Sequence, residues 1–243
     1  MTEPAIAATT IATICARGGS KGLPGKNVRP FPGAGDPPLI VHSIRHALAC
    51  PRIGRVYVST DDPAIAQVAR DAGATVPFLR PAELATDSAG KMPAVEHLVA
   101  WLEASGETVD VVVDLQPTSP LRAAGDIENC LDALDGVDLA LSVFDAGCHP
   151  AFNLVYREPD GRLALCEEPR ALRRQDLKPV LALNGSIYCW RRDAVAVAAR
   201  TGLWSVRVRG VEMPRERSAD IDDALDFEWA AWLYRRQLAG SAA

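Results

Sequence analysis

The stretch that decides the fold is Ile11-Ala12-Thr13-Ile14-Cys15-Ala16, running straight into Arg17-Gly18-Gly19-Ser20-Lys21-Gly22-Leu23-Pro24-Gly25-Lys26-Asn27. A short apolar run that ends in a glycine-rich loop reads as the buried first strand of an α/β sheet. The loop from Ala16 to Asn27 holds four glycines and three cations in twelve residues. Glycines let backbone N–H groups turn toward a ligand, and Arg and Lys add charge-assisted bonds, which together suit a polyphosphate. A solvated turn would use the glycines but has no need of so many cations.

Strand and helix signals alternate outward from this loop. Leu39 to Ala49 carries Ile40, Ile44, Ala47 and Leu48 at helical spacing, and Arg55 to Ser59 reads as a second strand. Asp61 or Asp62 is a candidate N-cap, with Pro63 first in the helix, Ile65, Val68, Ala69 and Ala72 on one face, and Gly73 as the stop. Ala74 to Phe78 reads as a third strand, and Ala94, Val95, Leu98 and Leu102 mark a third helix. Val109 to Leu115 is β-branched and nearly continuous, as in the centre of a parallel sheet. Ile127, Leu131 and Leu134 give another helix, and Leu139 to Phe144 another strand. From Gly147 to Pro179 the rhythm breaks, with a GRLAL strand candidate beside an Asp160–Gly161 turn. It resumes with Ser186 to Trp190, a short helix after Arg191, a strand from Trp204 to Val208 and a helix from Asp222 to about Leu238. The pattern predicts an α/β three-layer sandwich with a mainly parallel, Rossmann-like sheet, as one unit over 1–243 with 147–179 as an excursion.

Composition narrows the function. With 243 residues, 48% hydrophobic and 23% charged, the chain can bury a real core, which excludes disordered and low-complexity classes. Its 26 Lys+Arg against 31 Asp+Glu, a net charge of −5, argue against nucleic acid as the main partner. Met1 to Thr10 lacks a basic leader, and no uncharged apolar stretch approaches the roughly 18 residues of a membrane span, so a cytoplasmic protein without a membrane partner is expected. Six scattered cysteines without a C-x-x-C pair argue against a disulfide framework or a zinc site. His42, His46, His97 and His149 show no ligand spacing, and the His42/His46 pair is expected to serve packing or surface roles.

The loop fits neither common phosphate-binding pattern. Gly25-Lys26 is followed by Asn27 where a P-loop needs Ser or Thr, and G-x-G-x-x-G is absent. Instead ARGGSKGLPGKN resembles the nucleotide-binding signature of the N-acylneuraminate (sialic acid) cytidylyltransferases, A-R-x-x-S-K-G-[LI]-P-x-K-N. Val58-Ser59-Thr60-Asp61, Arg80 to Ala85 (RPAELA), Leu115 to Arg122 (LQPTSPLR), Asn184 to Tyr188 (NGSIY) and Ser218 to Asp222 (SADID) resemble further motifs of that family, in the same order.

The resemblance implies the nucleotidyltransferase variant of the α/β fold and CMP transfer from CTP to a sialic-acid-like 2-keto sugar acid. It places Arg17, Ser20, Lys21 and Lys26 on the triphosphate, beside Ala16 and Gly18. Asn27, Arg80, Gln116, Thr118 and Ser119 would surround the base and ribose. Gln116, Arg174, Gln175, Asn184 and Tyr188 would face the acceptor, with Arg174 on its carboxylate. Arg17 and Lys26 would neutralise charge developing during transfer. Asp220 and Asp222, two residues apart in extended chain, can reach one hard cation, expected to be Mg²⁺. Either could instead cap the last helix, while Asp223 and Asp226 read as surface helix charges. The family also implies a homodimer, with 147–179 as an arm reaching the neighbour's site.

Two positions depart from the sialic acid enzymes. Ala151-Phe152 follows His149-Pro150 where they carry a Lys, and Lys91 stands where a small hydroxyl residue is usual. Acceptors such as 3-deoxy-octulosonate, a legionaminic- or pseudaminic-type sugar, or a phosphonate are therefore alternatives. A sugar-1-phosphate nucleotidyltransferase using another NTP is a further one, although that class commonly ends its central strand in Asp where this chain has Gln116.

Overall fold

A computed structural model describes residues 9–86, 90–168, 173 and 176–241. The first strand, β1 (Thr10–Cys15), is buried along its length and feeds the glycine-rich loop. It is followed by α1 (Leu39–Ala49), β2 (Arg55–Ser59), α2 (Pro63–Asp71), α3 (Lys91–Ala104), β3 (Val111–Leu115), α4 (Ala124–Asp132) and β4 (Leu139–Asp145). The short strands β5 (Val155–Arg157) and β6 (Leu163–Leu165) pair only with each other, as an antiparallel hairpin inside the excursion. The chain ends with β7 (Leu181–Arg191), α5 (Arg192–Thr201), β8 (Val208–Glu212) and α6 (Ala224–Ser241).

The main sheet runs β2-β1-β3-β7-β4-β8. β1 pairs in parallel with β2 and β3, and β4 in parallel with β8, while β7 is antiparallel to both of its neighbours. The fold is the expected α/β sandwich, and β3 has one antiparallel neighbour that a purely parallel reading does not anticipate. Alternation along the strands sorts side chains to two faces. Ala12, Ile14, Val111, Val113 and Leu115 pack with Ile44 of α1, Ile65 of α2 and Ile127 of α4. Ile11, Val112 and Trp190 pack with Leu98 of α3 and Val195 of α5 on the other face. A third cluster joins Phe31, Leu39 and Leu121 to Ile221 and to Ala230 and Leu233 of α6.

Local chemistry explains where the sequence reading holds and where it shifts. Asp62 caps α2 by accepting from the N–H groups of Ala64 and Ile65 at 2.7 and 3.3 Å, with Pro63 opening the helix. Ala74 to Phe78 is not a strand. The segment makes single parallel bridges to β2, at Tyr57–Thr75 and Thr60–Leu79, and Pro77 cannot donate to a continuous ladder. β8 begins at Val208, later than the expected Trp204–Val208 run, and Leu203–Ser205 is a 3-10 turn instead. The register against β4 sets this: Val208 pairs with Leu139, and Gly210 lies against the Val143 side chain. β7 is longer than Ser186 to Trp190, because pairing with β4 resumes beyond a register shift near Asn184–Gly185.

His42 and His46 lie on α1. His42 is buried, with Nε2 3.0 Å from the Phe31 carbonyl and edge-on contacts to Phe31 and Tyr234, which is a packing role. No helix among the described residues is long and apolar enough to cross a membrane.

Candidate active site

The glycine-rich loop leaves the C-terminal end of β1, where ligands collect in open α/β sheets. Its first half is held by Asp61, whose Oδ1 accepts from the Gly18 N–H at 3.2 Å and faces Arg80 Nη2 at 3.5 Å. Arg80 is buried and also donates to the Ala16 carbonyl at 3.4 Å. Arg17 reaches the Thr86 carbonyl at 3.4 Å, while the Arg17 carbonyl accepts from Asn27 Nδ2 at 3.2 Å. The second half meets the segment before α6. Lys26 Nζ donates to the Ile221 carbonyl at 2.6 Å and lies 3.1 Å from Asp222 Oδ1. Gly22 makes that approach possible, since a Cβ there would stand 2.4 Å from the Asp222 carbonyl oxygen, and backbone cannot yield as a side chain can.

The second wall comes from the chain after β3. Gln116 Nε2 and Thr118 Oγ1 donate to the two carboxylate oxygens of Asp220, at 3.0 and 2.5 Å. The Ile221 N–H donates to the Thr118 carbonyl at 3.0 Å, so the two segments are locked side by side. Burial holds the Asp220 carboxyl above its usual range, with the nearby Asp222 acting in the same direction. Behind this wall Arg122 is buried and donates to the Ser186 and Ser43 hydroxyls and to the Gln116 carbonyl. Gly185, at φ +71°, lets the Gln116 amide lie where a Cβ would sit 3.0 Å from Oε1.

These elements enclose a cleft of about 220 Å³ lined by Arg17, Ser20, Lys26, Asn27, Lys91 and Gln116, with Thr118 and Asp222 at its edge. Larger hollows lie elsewhere; two of them, of about 560 and 530 Å³, border the excursion around Asp145 and Glu212, and none of the larger ones contains a loop cation. The smaller cleft is where the chemistry converges. Asn27 Oδ1, Arg80 Nε and Ser119 Oγ are buried beside it without a hydrogen-bond partner among the described residues, a pattern that calls for a ligand.

Most of the expected site residues are brought together. Ala16, Arg17, Ser20, Lys26, Asn27, Gln116 and Thr118 line one cleft, Gly18 and Arg80 support its rim, and Lys21 is exposed on the loop. Tyr188 lies opposite Asp114 in the β3–β7 ladder. Asn184 differs from expectation. Its Oδ1 accepts from Ser142 Oγ at 2.5 Å and the Ser186 N–H at 3.1 Å, and its Nδ2 donates to Ser218 Oγ at 3.0 Å, so it ties β7 to the segment before Asp220 instead of facing the cleft. Arg174 and Gln175 lie outside the described residues. Asp223 and Asp226 are not free surface charges. Asp223 Oδ1 accepts from the Asp226 N–H at 2.9 Å, and Asp226 Oδ2 accepts from the Asp223 and Asp222 N–H groups at 3.1 and 3.0 Å. This reciprocal cap closes α6, so neither Asp220 nor Asp222 is needed as its cap.

Arg122 and Asp114 are site-shaping residues that the sequence reading left without a role, and Asp61, offered there only as a candidate N-cap, holds the Gly18 N–H instead while Asp62 caps α2. Arg122 and Asp61 lie inside quoted motifs, and Asp114 is a lone acid in an apolar strand, which is itself a signal.

Sheet order, loop and cleft together define an α/β protein of the open-sheet class, with its candidate ligand site at the C-terminal ends of β1 and β3. A family profile described as cytidylyltransferase matches residues 11–140. The chain is 30% identical over 235 residues to the post-translational flagellin modification protein B of Campylobacter coli, covering 93% of this chain and 95% of that protein. It is 36% identical over 232 residues to the CMP-N,N'-diacetyllegionaminic acid synthase of Legionella pneumophila, covering 90% and 93% of the two chains. The structure of a CMP:2-keto-3-deoxy-manno-octonic acid synthetase complexed with CTP superposes with a TM-score of 0.68 at 20% identity, over 95% of this chain and all of that one. The chain belongs to the cytidylyltransferase family.

Proposed function

We propose that this protein transfers CMP from CTP to the anomeric hydroxyl of a nonulosonic, sialic-acid-like 2-keto sugar acid and releases pyrophosphate. The observation that carries the reading is the convergence of the cationic loop, Gln116 to Thr118 and Asp222 on one cleft, with Asp220 hydrogen-bonded to the Gln116 and Thr118 side chains of its wall. Relatives that include a CMP-N,N'-diacetyllegionaminic acid synthase support the same choice of donor and of acceptor class.

In this reading Arg17, Ser20 and Lys21 hold the β- and γ-phosphates, and Lys26 lies against the α-phosphate. Asn27 and Ser119, with unspent polar atoms, and Arg80 receive the cytidine. The acceptor hydroxyl attacks the α-phosphorus in line, a new P–O bond forms, the bond to the bridging oxygen breaks, and the hydroxyl proton leaves to solvent. Thr118 and Gln116 fix Asp220, and Lys26 restrains Asp222, so both carboxylates are preorganised.

The donor set fits Mg²⁺. A buried carboxyl held above its usual range beside a second carboxylate gains from a hard cation, and Mg²⁺ needs only one or two carboxylates besides phosphate oxygens. When bound, it would supply Lewis-acid polarisation of the phosphate.

We also read 1–243 as one cytidylyltransferase unit acting in the cytoplasm as a homodimer. Leu154, Val155, Tyr156, Leu163 and Leu165 on and beside the β5–β6 hairpin are 39–66% exposed, a concentration of apolar side chains suited to a second copy. Arg174 and Gln175 would then complete a partner's acceptor pocket.

The product tests the reading. Incubation with CTP and a panel of 2-keto sugar acids should yield a compound with the mass of the CMP ester of one of them. CMP transferred only to sugar 1-phosphates, as CDP-sugars, or only to phosphonates, as mixed anhydrides, or no transfer at all, would overturn it.

A further inference from the structure

Lys26 opens a short 3-10 segment, Lys26–Val28, whose middle residue Asn27 is buried and donates to the Arg17 carbonyl at 3.2 Å. The backbone of Lys26 is therefore fixed, while its ammonium sits on a four-carbon stem that can change partners. That ammonium lines the cleft and reaches across it, donating to the Ile221 carbonyl at 2.6 Å and lying 3.1 Å from Asp222 Oδ1. The two oxygens of Asp220 accept from Thr118 and Gln116. Asp222 is held differently. Its side chain is 79% exposed, against 12% for Lys26, and among the described residues Lys26 is the only partner of its carboxylate.

An ion pair with one member so exposed contributes little to stability, because water solvates the carboxylate nearly as well. It is easily exchanged, and its place gives the exchange a purpose, which rests on the transfer reaction proposed above. That reaction sets Lys26 against the α-phosphate, and Asp222 with Asp220 around a divalent cation. The two demands conflict while the ammonium sits on Asp222, because an ammonium and a dication repel each other at a shared oxygen. A polyphosphate removes the conflict. It offers Lys26 a stronger anion and leaves Asp222 for the metal, which needs only one or two carboxylates besides phosphate oxygens.

We propose that Lys26 is the placeholder cation of Asp222, so that this cleft takes its divalent cation together with the nucleotide and not before it. Lys26 keeps Asp222 in position until a polyphosphate draws the ammonium away. One side chain thus couples the order of binding to the contact made with the α-phosphate.

The test measures Mn²⁺ binding to the protein without CTP, by calorimetry and by the electron paramagnetic resonance of free Mn²⁺. It compares wild type with Lys26→Met, Lys26→Gln and Lys26→Arg, with circular dichroism to check folding. Two neutral replacements are used so that misfolding of one leaves the other to decide. Both are expected to bind Mn²⁺ at least about fivefold more tightly than wild type, the scale of removing one unit charge a few ångströms from a dication at a largely solvated site. Lys26→Arg keeps the charge and should stay within about twofold of wild type. Adding Asp222→Asn to Lys26→Met should abolish the gain, which assigns it to this carboxylate and not to another acidic surface. Equal Mn²⁺ affinity in wild type and a folded neutral variant, or a gain that survives Asp222→Asn, overturns the exchange and leaves the transfer reaction standing. An Asp222-dependent gain in a protein that makes no CMP ester from CTP and any 2-keto sugar acid keeps the exchange and overturns the reaction.

Discussion

Lys26 decides the most at the scale of single residues. It is the only cation that touches the segment carrying both Asp220 and Asp222 among the described contacts of the loop, through the Ile221 carbonyl and the Asp222 carboxylate. Lys26→Ala is expected to lower kcat/KM for CTP by about two orders of magnitude, as when one preorganised charge donor is lost. Turnover within threefold of wild type would remove the triphosphate from this loop. Neighbouring carboxylates separate by the same logic. Asp220→Ala should cost two decades or more in kcat, roughly 2.7 kcal/mol of transition-state energy, with little change in melting temperature. Asp223→Ala should do the reverse, losing about 1 kcal/mol of stability with its cap while turnover survives. Measuring both quantities for both variants checks the assignment. Parallel losses in the two would mean that the whole segment acts only as a helix start.

At the scale of elements, Arg122 joins the start of α4 to α1 and β7. Burial, with the Arg122 guanidinium in second place, pushes His46 down to about 3, and its Nδ1 lies 3.5 Å from Arg122 Nη1. Nδ1 must stay unprotonated there. A histidine depressed in the fold stabilises fully above its unfolded value of 6.5 and loses that stability as pH falls toward 3. Wild type should therefore lose more melting temperature than His46→Gln between pH 7 and pH 4. Parallel curves would show that His46 is free to protonate in the fold.

Legibility in the sequence also varies by element. α2 could be read because Asp62 and Pro63 carry their own start signal. β8 could not, because Arg209 and Gly210 resemble loop and their place is set by the edge of β4. The cationic loop stands out by composition alone, whereas Asp220 and Asp222 do not, since in the sequence either could equally cap the last helix. Nor does the Lys91–Asp114 ion pair, because two distant residues meet only through the register of β1, β3 and β7.

At the scale of the whole molecule, the hairpin of β5 and β6 stands apart from the main sheet with its apolar side chains exposed, while Phe152 beside it is 43% exposed. Sedimentation at micromolar concentration is expected to give a dimer, and Tyr156→Asp with Leu163→Asp should shift it toward monomer and weaken the acceptor KM. A fully active monomer would separate the arm from the site. The central claim is that one cleft, built from the β1 loop, Gln116 to Thr118 and the Asp220–Asp222 segment, joins CTP to a 2-keto sugar acid. Pyrophosphate release measured with each of four NTPs, with and without such acids, tests it most directly. The expected result is release with CTP alone among the nucleotides, and only when acid and Mg²⁺ are present. Equal release with GTP or UTP, or release that ignores the acid, would contradict it.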